Sequence, residues 1–98
     1  MTAKNNTTDI SAEMDRLYGK PGTPEREQFR REAYNYYVGQ MIQGIRKSEK
    51  ITQEELAKRI GAEKSYISKI EKGIIEPGVS TFYRIVDALG RSVELNPA

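Results

Sequence analysis

A mostly all-α fold is predicted here: four to five compact helices, an N-terminal helical extension and one short C-terminal β-strand. Three observations predict it. Small Ala57 and then Gly61 punctuate a stretch whose apolar residues recur at helical spacing, as two short helices crossing at a tight turn require. Thr23-Pro24 and Thr52 are helix-start signals, while Gly61 and Gly90 are stop signals, all at the edges of apolar-periodic runs. Ser92–Leu95 alternates polar and apolar residues, the period of a strand.

Taken in order, residues 1–8 are polar and expected to lack structure. Asp9 is placed to cap a short helix reaching Tyr18, with Ile10, Met14, Leu17 and Tyr18 on one face. Gly19-Lys20-Pro21-Gly22 is a turn or hinge. Thr23 then caps a helix with Pro24 at its first position, and Glu25 and Glu27 suit the positive helix end. Phe29, Ala33, Tyr36, Tyr37, Met41, Ile42 and Ile45 carry the helical pattern to about Ser48. Gly39 and Gly44 each weaken it by ~1 kcal/mol relative to alanine. They mark either a bend near Gly39 or a close helix contact.

Gln53–Gly73 is the most informative stretch. Counting Gln53 as first, Ala57 falls fifth, Gly61 ninth, Ile67 fifteenth and Ile70 eighteenth. Crossing helices leave no room for a large side chain at Ala57, and the turn needs a residue at positive φ, which Gly61 supplies without steric cost. Leu56, Ile60, Ile67 and Ile70 point inward, and Thr52 with Glu55 forms a capping box. Pro77-Gly78 ends the next loop. Val79–Leu89 is amphipathic through Phe82, Ile85, Val86 and Leu89, and Gly90 closes it. In Ser92–Leu95, Val93 and Leu95 face one way. A lone strand cannot satisfy its backbone, so this segment pairs with its two-fold mate or else packs as a tail without a ladder.

Composition narrows the function classes. Ninety-eight residues suit one domain plus an extension, and the net charge of +2 is too small to argue for nucleic acid by itself. The surplus nevertheless lies in residues 33–98, with ten basic against eight acidic side chains, whereas residues 1–32 hold six of each. No apolar run approaches the ~20 residues that cross a bilayer, and the polar start lacks a signal peptide's apolar core. With no cysteine there are no disulfides or thiolate metal sites, and a cytoplasmic setting is expected. With no histidine, the commonest general base and metal ligand is missing too. Glu54-Glu55 and the Glu25/Glu27 pair suit solvated helix faces, and no glycine-rich phosphate loop is present. The expectation is therefore no enzyme, no cofactor and no metal.

The Gln53–Gly73 pattern, with the following EPGVSTFYRIVDALG, resembles the Cro/repressor (XRE-type) helix-turn-helix family over Val38–Leu89. That resemblance implies a repressor-like helix-turn-helix domain whose second motif helix enters the major groove of double-stranded DNA. It also implies a homodimer on an inverted-repeat operator with half-sites about one helical turn apart. The chain then divides into an N-terminal extension (1–35), the DNA-binding domain (36–90) and a C-terminal strand or tail (91–98). Because Ile67 and Ile70 face inward, Lys64, Ser65, Ser68, Lys69 and Lys72 face out. Lys64, Ser65 and Ser68 lead toward base edges, Lys69 lies one turn beyond Ser65, and Tyr66 sits beside this face within reach of sugar or phosphate. Lys72 is better read as solvated. The resemblance places Gln53 on a phosphate at the first motif helix, and Thr52 joins it there among the DNA-binding residues. Ser80 and Thr81 offer a similar role at the next helix. The family pairing of an arginine before the motif with a glutamate at the recognition helix's end falls on Arg46 and Glu71, a structural brace.

The front third needs its own account. YGKPGTPEREQFRREAYNYYVGQMI, followed by the motif and STFYRIVDALGRSVEL, is similar to HigA-type antitoxins of bacterial toxin–antitoxin pairs. This implies an N-terminal segment that covers a small RelE/HigB-type ribonuclease toxin while the dimer represses its own operon. Ile10, Met14, Leu17, Tyr18 and Phe29 are the candidate toxin-binding residues, with Tyr34, Tyr36 and Tyr37 of a type enriched at interfaces. The competing readings are apolar residues folded back on the chain's own core, a stand-alone Cro/repressor-like regulator without a toxin, and an adaptor that keeps the fold but binds no DNA.

Overall fold

The computed structural model describes residues 2–97, with side chains from residue 10 onward. All regular structure among them is helical: α1 (Thr2–Tyr18), α2 (Pro24–Ser48), α3 (Gln53–Ile60), α4 (Lys64–Glu71) and α5 (Val79–Ala88). The chain falls into two units, Met1–Tyr34 and Asn35–Ala98.

In the first unit, α1 and the start of α2 form a helical hairpin around the Gly19–Gly22 turn. Both glycines sit at positive φ, 85° and 89°. Thr23 caps α2 as expected: its Oγ1 accepts from the Arg26 N–H at 3.3 Å, and Pro24 is the first helical residue. Tyr18 and Phe29 stack with ring centroids 3.9 Å apart. Arg26 Nη1 donates to Asp15 Oδ1 at 2.6 Å and to the Gly19 carbonyl at 2.8 Å, tying the arms together. One expectation is corrected. The backbone of α1 begins at Thr2, so residues expected to lack structure are helical and Asp9 lies inside the helix instead of at its cap. The Asp9 side chain itself lies outside the described ones.

In the second unit, Ile42, Leu56, Ala57, Ile60, Ile67, Ile70, Ile85 and Leu89 form one buried cluster, drawing on all four helical segments. Leu56, Ile60, Ile67 and Ile70 point inward as their spacing requires. Gly39 settles its two alternatives in favour of a close helix contact: an added Cβ would lie 2.3 Å from the Ile70 carbonyl oxygen and 2.7 Å from that of Glu71. Gly44 meets nothing within 4 Å. Leu89 follows α5, and Gly90 at φ 72° reverses the chain, its N–H bonding the Asp87 carbonyl at 2.9 Å and the Arg91 N–H that of Val86 at 3.1 Å.

The C-terminal β-strand is not formed. Residues 91–97 carry no regular structure, and no strand occurs among the described residues. Alternation at Ser92–Leu95 specifies two faces but provides no ladder, and every other element of this chain is a helix, which has no sheet edge to offer. The fold is all-α.

Candidate nucleic-acid interface

Local chemistry sets the two motif helices. Thr52 Oγ1 accepts from the Glu55 N–H at 3.0 Å and starts α3. The reciprocal arm of the capping box is not made, because Glu55 Oε1 accepts from Arg59 Nε at 3.4 Å instead. Gly61, at φ 70°, ends α3, with the Ala62 N–H bonding the Ala57 carbonyl at 2.8 Å. After two further residues α4 begins at Lys64, without a side-chain cap from Glu63. Its first N–H groups therefore lack that side-chain acceptor, and the positive end of the helix dipole points outward there.

Ile67 and Ile70 are buried, which turns Lys64, Ser65 and Lys69 to the surface. Ser68 is half-buried. Tyr66 is also half-buried and packs against the apolar cluster, so much of its ring is engaged in the core. Lys72 is exposed and directly follows α4. Ser80 is exposed and Thr81 half-buried in the first turn of α5, whose N-cap is Gly78.

The far end of α4 is locked from below. Glu71, 1% exposed, receives Arg46 Nε on Oε2 at 2.6 Å and Arg46 Nη2 on Oε1 at 3.0 Å. Gln53 Nε2 adds a bond to Oε1 at 3.0 Å and Gln43 Nε2 another at 3.3 Å. Gln40 Nε2 reaches the Glu71 carbonyl at 3.2 Å, and Arg46 Nη1 donates to the Ile51 carbonyl at 2.9 Å. Burial pushes the Glu71 carboxyl up, but the hydrogen bonds from Arg46, Gln53 and Gln43, with the Arg46 charge, outweigh it and hold the group below its ordinary range. The same hydrogen bond raises Arg46 against the opposing effect of burial. Both groups stay charged, and the network braces α4.

Gln53 thus sits where a phosphate-contacting residue was expected, at the first position of α3, but its amide nitrogen is turned to Glu71. Gln40 and Gln43 were missed by the sequence reading. Their signal was present: Gln40, Gln43 and Arg46 recur every third residue on one face of α2. The expected toxin-binding residues divide. Ile10 and Leu17 are exposed, Met14 is half-buried, and Tyr18 and Phe29 are engaged with each other. Among the described residues no acidic cluster could hold a metal, and no helix is long and apolar enough to cross a membrane.

Residues 42–96 match the HTH_3 helix-turn-helix family. The chain belongs to this family. The match takes in the end of α2, all of α3, α4 and α5, and the segment beyond. Among similar proteins, an uncharacterized HTH-type transcriptional regulator, y4dL, of Sinorhizobium fredii is 34% identical over 61 residues, covering 62% of this helix-turn-helix chain and 31% of the relative. The immunity repressor protein of Bacillus phage phi105 is 41% identical over 56 residues, 57% of this chain and 39% of that one. A second Sinorhizobium fredii regulator, y4dJ, is 41% identical over 59 residues, covering 59% of this chain and 77% of its own length. The chain thus matches less than half the length of the first two relatives.

Proposed function

We propose that this helix-turn-helix protein is a sequence-specific DNA-binding transcriptional repressor, acting as a homodimer on an inverted repeat. One observation carries the reading: α4 presents Lys64, Ser65 and Lys69 outward while its opposite side is locked by Ile67, Ile70 and the Arg46–Glu71 pair. A helix that is rigid on one side and cationic on the other suits insertion into the major groove. Lysine there donates to guanine O6 or N7, and serine donates or accepts at several bases. Lys64, at the open start of α4, adds charge to the helix-dipole end. Thr52, Gln53, Ser80 and Thr81 mark two further helix starts suited to phosphate. The relatives' names, HTH-type transcriptional regulators and an immunity repressor, support the same reading.

Selection of binding sequences from random duplexes tests it. A recovered inverted repeat is the expected result. Salt-insensitive binding, or recovery of no consensus, would reject it.

We further propose that residues 1–34 bind a separate protein, in the manner of the antitoxins this chain resembles, with a small ribonuclease toxin as partner. The supporting observation is that this hairpin lies outside the family match of residues 42–96 and exposes Ile10 and Leu17. Recovering the tagged full chain from its host at native levels provides the test. A stoichiometric small basic protein, released by Ile10→Asp with Leu17→Asp, is expected. A homodimer without a companion leaves the stand-alone repressor as the account.

A further inference from the structure

In the second unit, α3 and α5 hold each other by their C-terminal ends. Arg59, the next-to-last residue of α3, donates from Nη1 to the carbonyl of Ala88, the last residue of α5, at 2.9 Å. In return Arg84 of α5 donates from Nη2 to the carbonyl of Ile60, the last residue of α3. A helix leaves its final carbonyls without intrahelical partners. Backbone turns take some of them: the Gly61 and Ala62 N–H groups bond the Lys58 and Ala57 carbonyls, and the Leu89, Gly90 and Arg91 N–H groups bond those of Ile85, Asp87 and Val86. The two arginines take Ile60 and Ala88. They also set two positive charges where the negative ends of two helix dipoles meet.

Apolar packing around Leu56, Ile60 and Ile85 brings these helices together, but it is non-directional and leaves their angle loosely set. Hydrogen bonds are directional, and two crossed ones fix the angle. That angle matters at the opposite ends. α3 runs about 12 Å back to its start at Gln53, and α5 about 15 Å back to its start at Val79. A swing of about 10° about the joined ends would move either start by about 2–3 Å over those lengths, more than a hydrogen bond tolerates. We propose that Arg59 and Arg84 are positioning residues for DNA: they fix the splay of α3 and α5, and so the spacing of the two helix starts on the phosphate backbone. By charge alone both exposed arginines would be counted as phosphate contacts; here each is turned to a carbonyl of the other helix. The inference rests on the DNA-binding reading above and names residues that set its register, which phosphate contacts determine.

Arg59→Met and Arg84→Met keep an apolar stem and lose the donor. Each is compared with the native full chain on the selected operator and on a random duplex, across a salt series and well below its unfolding temperature. Preference for the operator over the random duplex is expected to fall by about tenfold or more, the discrimination carried by one base pair. Affinity for the random duplex and its salt slope are expected to stay at the native values, because no phosphate contact is lost. Arg84→Lys, which keeps a cation and a donor for the Ile60 carbonyl, is expected to restore most of the preference. A salt slope lowered by about one on both duplexes would overturn the proposal, since the arginine then holds a phosphate itself. Native operator preference in both methionine variants would also overturn it, leaving the crossed bonds to stability alone and the DNA reading intact. A native protein with no sequence preference would remove both.

Discussion

Arg46 grips Glu71 with two nitrogens, at 2.6 and 3.0 Å, joining α2 to the last residue of α4 inside the protein. The pair fixes α4 at the end farthest from Lys64 and Ser65. Gln43 and Gln53 complete the carboxylate's surroundings and Gln40 bonds the Glu71 backbone carbonyl; no buried side-chain polar atom among the described residues is left without a hydrogen bond. One buried network thus holds α4 from below, while Lys64, Ser65 and Lys69 stay on its exposed face.

Removing one member should cost more than removing both. Glu71→Ala leaves the Arg46 charge buried without its partner, and a loss of about 3–5 kcal/mol is expected. Arg46→Met with Glu71→Leu replaces the pair by apolar volume and should be much closer to the native stability. Urea unfolding of the three proteins decides. A Glu71→Ala loss below ~1 kcal/mol, the level of an exposed pair, would show that the network contributes little.

Acid should weaken the same brace. The Glu71 carboxyl is held below its ordinary value, so the folded state binds the proton less readily than the unfolded state. Its stabilisation is complete above the unfolded value of ~4.3 and is lost as pH falls through the lower folded value. Thermal unfolding between pH 7 and pH 2 should show the native protein's advantage over Glu71→Gln shrinking below about pH 4. An advantage that grows in acid would reverse the assignment.

Two glycines of α2 should respond with opposite sign. At Gly39 an alanine Cβ would meet backbone oxygens at 2.3 and 2.7 Å, which cannot swing aside as a flexible side chain would. A loss of at least ~1–3 kcal/mol is expected. Gly44 is exposed with nothing within 4 Å, so Gly44→Ala should add up to ~1 kcal/mol through helix propensity. Thermal unfolding of the two variants side by side tests the packing of α2 on α4.

Three lysines near α4 should separate on the operator. Lys64→Ala and Lys69→Ala should each cost ~1–3 kcal/mol if they read bases, or lower the salt slope by ~1 if they hold phosphate. Lys72→Ala should have a smaller effect. Fluorescence anisotropy across a salt series distinguishes these outcomes. Equal affinity for all four proteins would move the interface away from α4.

The motif was legible because its signals are local. Thr52 bonds an N–H three residues away, Gly61 and Gly90 adopt positive φ at helix ends, and Pro24 follows its cap; each needs only its neighbours in the chain. The inward positions of Leu56, Ile60, Ile67 and Ile70 follow from helical spacing alone, and so, by elimination, does the outward face with Lys64, Ser65 and Lys69. Ser68, half-buried, is less free than that elimination suggested, and Tyr66, expected beside this face, packs partly against the apolar cluster.

The remaining features depend on what lies across space. Gln53 begins α3 by its sequence position, yet Glu71, eighteen residues on, decides where its amide turns. Gly39 was compatible with a bend or a contact until the carbonyls of Ile70 and Glu71 lay against it. Tyr18 and Phe29 were free to serve another protein until the Gly19–Gly22 turn brought their rings together. The alternation at Ser92–Leu95 was real, but a strand exists only with a neighbour to share its hydrogen bonds. Dihedral preferences, caps and periodicity are properties of a short stretch and can be read from it. The partner of a side chain or of a backbone ladder is a property of the folded arrangement, where residues far apart in the chain come within bonding distance.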